Sequence, residues 1–171
     1  RLYQISKAPV AGSVVLESAS TTFVRFVDKA TGHIFESAID SGSPVQISNT
    51  TIPKLNEAIW SPRGDSVYLR YLKDTETIKT FFAQIKTVAT STGAVDGAAP
   101  YTLSGVFLPD NIQTLSIQAD LSRIFYLGAG ASGAIGTVAN LDGSKAVQVF
   151  SSPLFHWQSF WPEGSDSVYL T

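Results

Sequence analysis

Cysteine and methionine are both absent from this chain, charge is sparse, and apolar runs are short. Without cysteine there is neither a disulfide nor a thiolate-bound metal, which leaves the redox compartment open. Methionine is missing at position 1 as well as everywhere else, which implies that the chain begins inside a longer or processed product. A signal peptide or anchor upstream is compatible with that. Charged residues make up only 15%, which argues against a disordered tail or a long solvated helix. The 12 basic and 14 acidic residues leave a net charge of -2 without a basic block. Nucleic acid and anionic membranes both require a clustered positive surface, so neither is an expected partner. No apolar run approaches the ~20 residues that span a bilayer, so no membrane insertion is expected within the chain.

What is present favours strands. Hydrophobic residues reach 44% and aromatics 11%, alongside many Val, Ile, Thr and Ser. Such side chains suit a pleated, half-buried surface. Segments rich in Leu, Ala, Glu and Lys at helical period are missing.

The decisive pattern is internal similarity. Trp60-Ser61-Pro62-Arg63-Gly64-Asp65-Ser66-Val67-Tyr68-Leu69 recurs as Trp161-Pro162-Glu163-Gly164-Ser165-Asp166-Ser167-Val168-Tyr169-Leu170. A weaker copy runs from Leu115 to Leu127, and a degenerate one pairs Gly12–Glu17 with Thr22–Val27. Each reads as a short strand, a polar turn and a second strand with alternating apolar residues. Val27 precedes Leu69 by 42 residues, Leu69 precedes Leu127 by 58, and Leu127 precedes Leu170 by 43. Two of these intervals match the ~40–45 residues of a four-stranded propeller blade. The long one implies an inserted loop around Ser91–Pro100, where Gly and Ala cluster.

Third and fourth strands follow each pair. In the first repeat these are His33–Ile39 and Pro44–Ser48, separated by the turn Asp40-Ser41-Gly42-Ser43; in the third they are Gly133–Asn140 and Ala146–Phe150. The similarity of Pro44-Val45-Gln46-Ile47 to Ala146-Val147-Gln148-Val149 reinforces the alignment. The expected fold is therefore all-β: antiparallel four-stranded blades in a partial β-propeller of about 3.5 blades. Residues 1–6 would be the outer strand of a preceding blade, 9–50, 55–106 and 112–152 three blades, and 155–171 the first strands of another. Such a number of blades does not close a ring alone, so the expectation is that more chain lies outside it or that copies assemble.

Ser61, Pro62 and Gly64 match the Ser-Pro-Asp-Gly-Lys-x-Ile-Ala-Phe pattern of bacterial TolB-like, or WD40-like, propeller repeats, which the 60–69 stretch resembles; Arg63 stands where an acidic residue is usual. Thr31-Gly32-His33-Ile34-Phe35 and Ile39-Asp40-Ser41-Gly42 resemble that family's third strand and following turn. The resemblance spans most of the chain and is strongest at the two Trp-containing turns. It implies blade architecture; the family includes binding scaffolds and propeller domains attached to peptidases, so function has to come from a site.

Several motifs compete for that role. Arg63-Gly64-Asp65, followed by Ser66, is an integrin-recognition tripeptide, but it occupies a repeat turn whose other copy reads Glu163-Gly164-Ser165-Asp166, and turn geometry is the favoured reading. Gly128-Ala129-Gly130-Ala131-Ser132-Gly133 matches G-x-G-x-x-G, yet Ala134–Asn140 continues with another Gly and β-branched residues, so a flexible hairpin loop is expected instead of a nucleotide site. His33 and His156 are the only histidines and lack ligand spacing. His156 and Trp157 are expected in an innermost strand. No G-x-S-x-G elbow or D-x-D-x-D loop occurs. Asp28, Asp40, Asp74, Asp110, Asp120 and Asp142 lie beside turns, where carboxylates bond the local backbone.

Trp60, Trp157, Trp161, Phe155 and Phe160 are expected to fill the space between blades. The run Phe155-His156-Trp157-Gln158-Ser159-Phe160-Trp161 would be exposed if its blade is incomplete, and Phe155, His156, Trp157, Phe160 and Trp161 form the candidate interaction surface. No catalytic, cofactor or metal site is expected. The leading expectation is a non-enzymatic scaffold binding a protein or another macromolecule, at a bacterial cell envelope and so extracytoplasmic. The alternatives are the propeller portion of a larger peptidase-like enzyme, and a homo-oligomeric surface assembly paired through open blade edges.

Overall fold

A computed structural model describes residues 4–19, 21–40, 42–87 and 101–171. The inserted loop expected around Ser91–Pro100 lies outside the described residues. Among those residues there is no helix, and so none long and apolar enough to cross a membrane. Fourteen strands form instead: β1 Val10–Glu17, β2 Thr22–Asp28, β3 Ile34–Ala38, β4 Val45–Gln46, β5 Leu55–Trp60, β6 Ser66–Leu72, β7 Ile78–Thr87, β8 Tyr101–Phe107, β9 Ile112–Ile117, β10 Arg123–Gly130, β11 Gly133–Asn140, β12 Val147–Ser152, β13 Ser159–Phe160 and β14 Tyr169–Leu170. They make three four-stranded sheets in sequential order, β1-β2-β3-β4, β5-β6-β7-β8 and β9-β10-β11-β12, and a two-stranded sheet, β13-β14. The all-β class and the antiparallel four-stranded sheets are as the sequence implies.

Internal contacts divide the chain into two compact units, Arg1–Leu72 with Ala83–Gly105 and Lys73–Phe82 with Val106–Thr171. In the first, β1 packs along β5, and β2, β3, β5 and β6 supply the core: Phe26, Val27, Ile34, Leu55, Ala58, Val67, Tyr68 and Leu69 are buried, with β6 covered on both faces. Each fully buried large side chain contributes about 1.5–3 kcal/mol. Arg25 on β2 is held in this unit from four directions. Its Nε donates to Glu36 Oε2, directly opposite on β3, at 2.8 Å, and its Nη1 donates to the Gly64 carbonyl at 2.9 Å. The guanidinium also lies 5.7 Å from the Phe23 ring and 5.4 Å from the Tyr101 ring. Lysine has neither the planar fork nor the stacking face. Arg25→Lys is expected to lower stability by ~1–2 kcal/mol and Arg25→Ala by ~2–3 kcal/mol, read from urea unfolding midpoints.

In the second unit β9 packs against β13. Ser159 Oγ lies 2.6 Å from Ser116 Oγ and 3.1 Å from Thr114 Oγ1, a hydroxyl seam between the two strands. Phe125, Leu127, Ala134 and Trp161 make the core here, with Val138, Phe150, Trp157, Val168 and Leu170 packed around them. Lys79 closes on both carboxylate oxygens of Asp110 at 2.7 and 2.6 Å.

Three local readings differ from expectation. Residues 4–6, expected in an outer strand, have no strand pairing; Gln4 Nε2 donates to Ser6 O and Ser6 Oγ to Ala8 O, local bonds that replace a ladder. Residues 1–3 lie outside the described residues. The outer strand expected over 44–48 is reduced to β4 because the Gln46 amide turns back onto Ser48 O and Asn49 Oδ1, although Ile47 N still reaches Ile34 O. The glycine run expected as a flexible loop is strand up to Gly130, and only Ala131 and Ser132 connect β10 to β11.

Acidic side chains fasten several turns. Asp28 is opposed by partial burial, but hydrogen bonds from the Thr31 hydroxyl and the Thr31 and Ala30 amides outweigh it and hold its carboxyl below the ordinary value of 3.8. Backbone amides of Glu76 and Thr77 lower Asp74, that of Ser122 lowers Asp120, and the Ser144 hydroxyl and amide lower Asp142. A carboxyl whose folded pKa lies below its unfolded one adds stability that is complete above the unfolded value and vanishes as pH falls through the folded one. The melting temperature is therefore expected to fall as pH drops below 3.8. Asp28→Asn with Asp142→Asn should flatten that decline, since an amide oxygen keeps the turn bonds without titrating.

Candidate functional site

The repeated hairpins align in the structure as closely as in sequence. Ile59 pairs with Tyr68 and Trp60 with Val67 in the first, while Phe160 pairs with Tyr169 in the second. Turn glycines at both places have positive φ, 66° at Gly64 and 70° at Gly164, a conformation that favours glycine. Burial separates the two copies. Tyr68 is 1% exposed and Ile59 half-buried, whereas Tyr169 is 58% and Phe160 65% exposed. Directly opposed residues share a face of the sheet, so Phe160 and Tyr169 form one apolar patch.

The five residues singled out in sequence separate. Trp161 is buried with its indole N–H donated to Ser165 O at 2.8 Å. Trp157 is half-buried, packs edge-on against Phe150 at 5.5 Å between ring centroids, and donates its indole N–H to Leu154 O at 3.1 Å. Phe155, His156 and Phe160 are exposed. His156 and Trp157 stand outside β13, contrary to their expected place in an innermost strand; the ladder begins at Gln158, whose N and O pair with Thr171. Pro153 lies just before this segment and brings no N–H to a ladder, consistent with the irregular entry.

An open cleft of about 710 Å³ lies beside this segment, lined by Ile78, Gln113, His156, Trp157, Gln158 and Thr171. Sequence reading found His156 and Trp157 but missed the others. Gln113 sits on β9, far away in sequence, and becomes a neighbour because β9 packs on β13. The only available signal was the repeat itself, which makes β9 and β13 corresponding strands. The first unit carries a second cavity of about 420 Å³ where residues 4–8 and 42–44 flank Phe26, Asp28 and Phe35. Phe26 and Phe35 stack there at 5.5 Å.

The remaining motifs make hydrogen bonds within the fold. Asp65 Oδ1 accepts from Ser61 Oγ at 2.8 Å and from Ser66 Oγ at 3.2 Å, and the Gly64 carbonyl accepts from Arg25, so the Arg-Gly-Asp turn is tied into its own hairpin and to β2. His33 Nε2 lies 3.0 Å from Thr51 Oγ1, where either atom can donate. Among the described residues no three His, Asp or Glu side chains converge as metal ligands do. Compared with protein-family models and with curated proteins, the chain matches none.

Proposed function

We propose that the chain is a segment of a TolB-like β-propeller of about 3.5 blades acting as a non-enzymatic scaffold that binds a protein through the aromatic face of its last hairpin. The observation that carries this reading is the contrast between register-equivalent pairs: the face buried at Tyr68 is open at Phe160 and Tyr169, with Phe155 also exposed. Exposed aromatics are enriched in interface cores. The packing of β1 along β5 and of β9 against β13 supports the propeller arrangement, in which the first strands of successive sheets lie side by side.

A photo-crosslinking phenylalanine analogue in place of Phe160, in cells that make the protein, tests the face; Ile39, 43% exposed, is the control position. A discrete crosslinked protein at 160 and none at 39 is the expected result. No adduct at 160 removes the binding face. An adduct of two copies, with a matching dimer mass by light scattering, replaces the foreign partner by a homo-oligomer.

A further inference from the structure

We infer that the cavity in the first unit, where residues 4–8 and 42–44 flank Phe26 and Phe35, binds an uncharged aromatic ring. Its volume, about 420 Å³, falls within the roughly 300–1,000 Å³ of sites that hold small molecules. The floor is set by strand register. Phe26 on β2 stands directly opposite Phe35 on β3, and the next pair is Val27 with Ile34. Successive side chains alternate across a sheet, so the fully buried Val27 and Ile34 take one face and the two rings share the other. The rings stack at 5.5 Å between centroids with 14° between planes, Phe26 buried and Phe35 half-buried.

Chemistry narrows the ligand class. The polar groups around the rings are largely turned onto their own chain. Gln4 Nε2 donates to Ser6 O, Ser6 Oγ donates to Ala8 O at 2.7 Å, and the Ala8 amide donates back to Ser6 Oγ at 3.2 Å. Asp28 Oδ1 accepts from the Thr31 hydroxyl and from the Ala30 and Thr31 amides, and Ser43 is engaged as well. Lys7 and Asp28 bring one charge of each sign, so a charged ligand loses at one what it gains at the other and still gives up its water. What remains is apolar: Ile5, Ala8 and Pro44 beside the half-buried Phe35 ring. An aromatic ring suits that surface better than an aliphatic one, because it extends the stack that Phe26 and Phe35 have begun.

The walls are fixed before a ligand arrives. Lys29 N, just beyond β2, donates to Pro9 O at 2.9 Å and ties down the end of the 4–8 segment. The bonds around Ser6 hold the rest of that segment to itself. On the other side, the Pro44 ring restricts its own backbone. Groups already ordered lose little conformational freedom on binding. The cavity belongs to the first unit and Phe160 to the second, so this inference stands apart from the proposed protein-binding face.

The test is an NMR titration of the isotopically labelled 171-residue chain, following the Ile5 and Ala8 methyl resonances. The probes are indole and quinoline, with indoleacetate and tryptamine as charged versions of the ring and cyclohexanol as a neutral aliphatic one. Indole or quinoline is expected to shift the methyls saturably, the charged versions to bind no tighter, and cyclohexanol to bind more weakly. Phe35→Leu keeps an apolar side chain but removes the stacking face, and should weaken neutral-ring binding by roughly three- to tenfold. Because Phe35 also packs on Phe26, Ala8→Leu at an exposed position is the second variant. Its added volume should weaken the same binding by a comparable factor with the melting temperature unchanged, while Lys7→Ala should leave the affinity as it is. The assignment is overturned by the absence of a saturable shift with either neutral ring, or by tighter binding of a charged version or of cyclohexanol. A loss of affinity in Lys7→Ala, or full affinity in both Phe35→Leu and Ala8→Leu, overturns it equally.

Discussion

Gly133→Ala is expected to destabilise the protein by ~3 kcal/mol or more, the largest effect of any single methyl addition on β10 or β11. Gly133 opens β11 with φ at 147°, outside the range that L side chains adopt. A Cβ there would lie 1.9 Å from the Ser152 carbonyl oxygen and 2.7 Å from Pro153 Cα. Both obstacles are backbone, so no rotamer change relieves them, and the end of β12 would have to move. The other two glycines of the G-x-G-x-x-G run provide the contrast. At Gly130 a Cβ meets mainly the end of the Ile135 side chain, and at Gly128 it meets nothing within 4 Å. Gly130→Ala should cost no more than ~1 kcal/mol, and Gly128→Ala should be neutral or stabilising through lost unfolded-state freedom. Urea unfolding of the three variants measures this order. Equal costs at all three would show that the hairpin geometry is not what requires glycine.

That hairpin also shows how far the sequence could be read. The Ala134–Asn140 run following the glycines was legible as strand because β-branched residues and Gly136 do not continue a helix, and so was the all-β class. The end of β10 was not legible. Glycine has no strand preference of its own, and it is the cross-strand pairs Gly128 with Ile135, Ala129 with Ala134 and Gly130 with Gly133 that extend the ladder to a two-residue turn. The same limit applies at Arg25. Its alternation on β2 was visible, but Glu36, Gly64, Phe23 and Tyr101 converge on it from segments up to 76 residues away. At the candidate site, aromatic density around 155–161 drew attention to His156 and Trp157. Which aromatics turn inward was decided by packing. Trp161 joins Phe125 and Leu127, while Phe160, one residue earlier at the end of β13, is left exposed.

Phe125→Ala is expected to cost ~3–5 kcal/mol, because the ring is 2% exposed in the core it forms with Leu127, Ala134 and Trp161, and its loss leaves a cavity there. Gly136 makes this loss testable as a specific contact. It lies on β11 beneath the ring, where a Cβ would approach Phe125 Cζ to 2.7 Å, Phe125 Cε2 to 2.9 Å and Phe150 Cβ to 2.8 Å. Gly136→Ala alone should therefore destabilise by displacing the Phe125 ring or the β12 strand, at ~1–3 kcal/mol. With Phe125 already replaced by alanine, two of the three obstructions disappear and the added methyl enters space the ring has vacated. The second substitution should then cost less than in the parent, giving a coupling energy of ~1 kcal/mol or more in a double-mutant cycle. Phe150 keeps the coupling from restoring full stability, since its Cβ is fixed to the paired strand. Strict additivity would mean that the β11 backbone retreats from Gly136→Ala without involving the ring, and that the fit of glycine under Phe125 contributes nothing to the stability of this sheet.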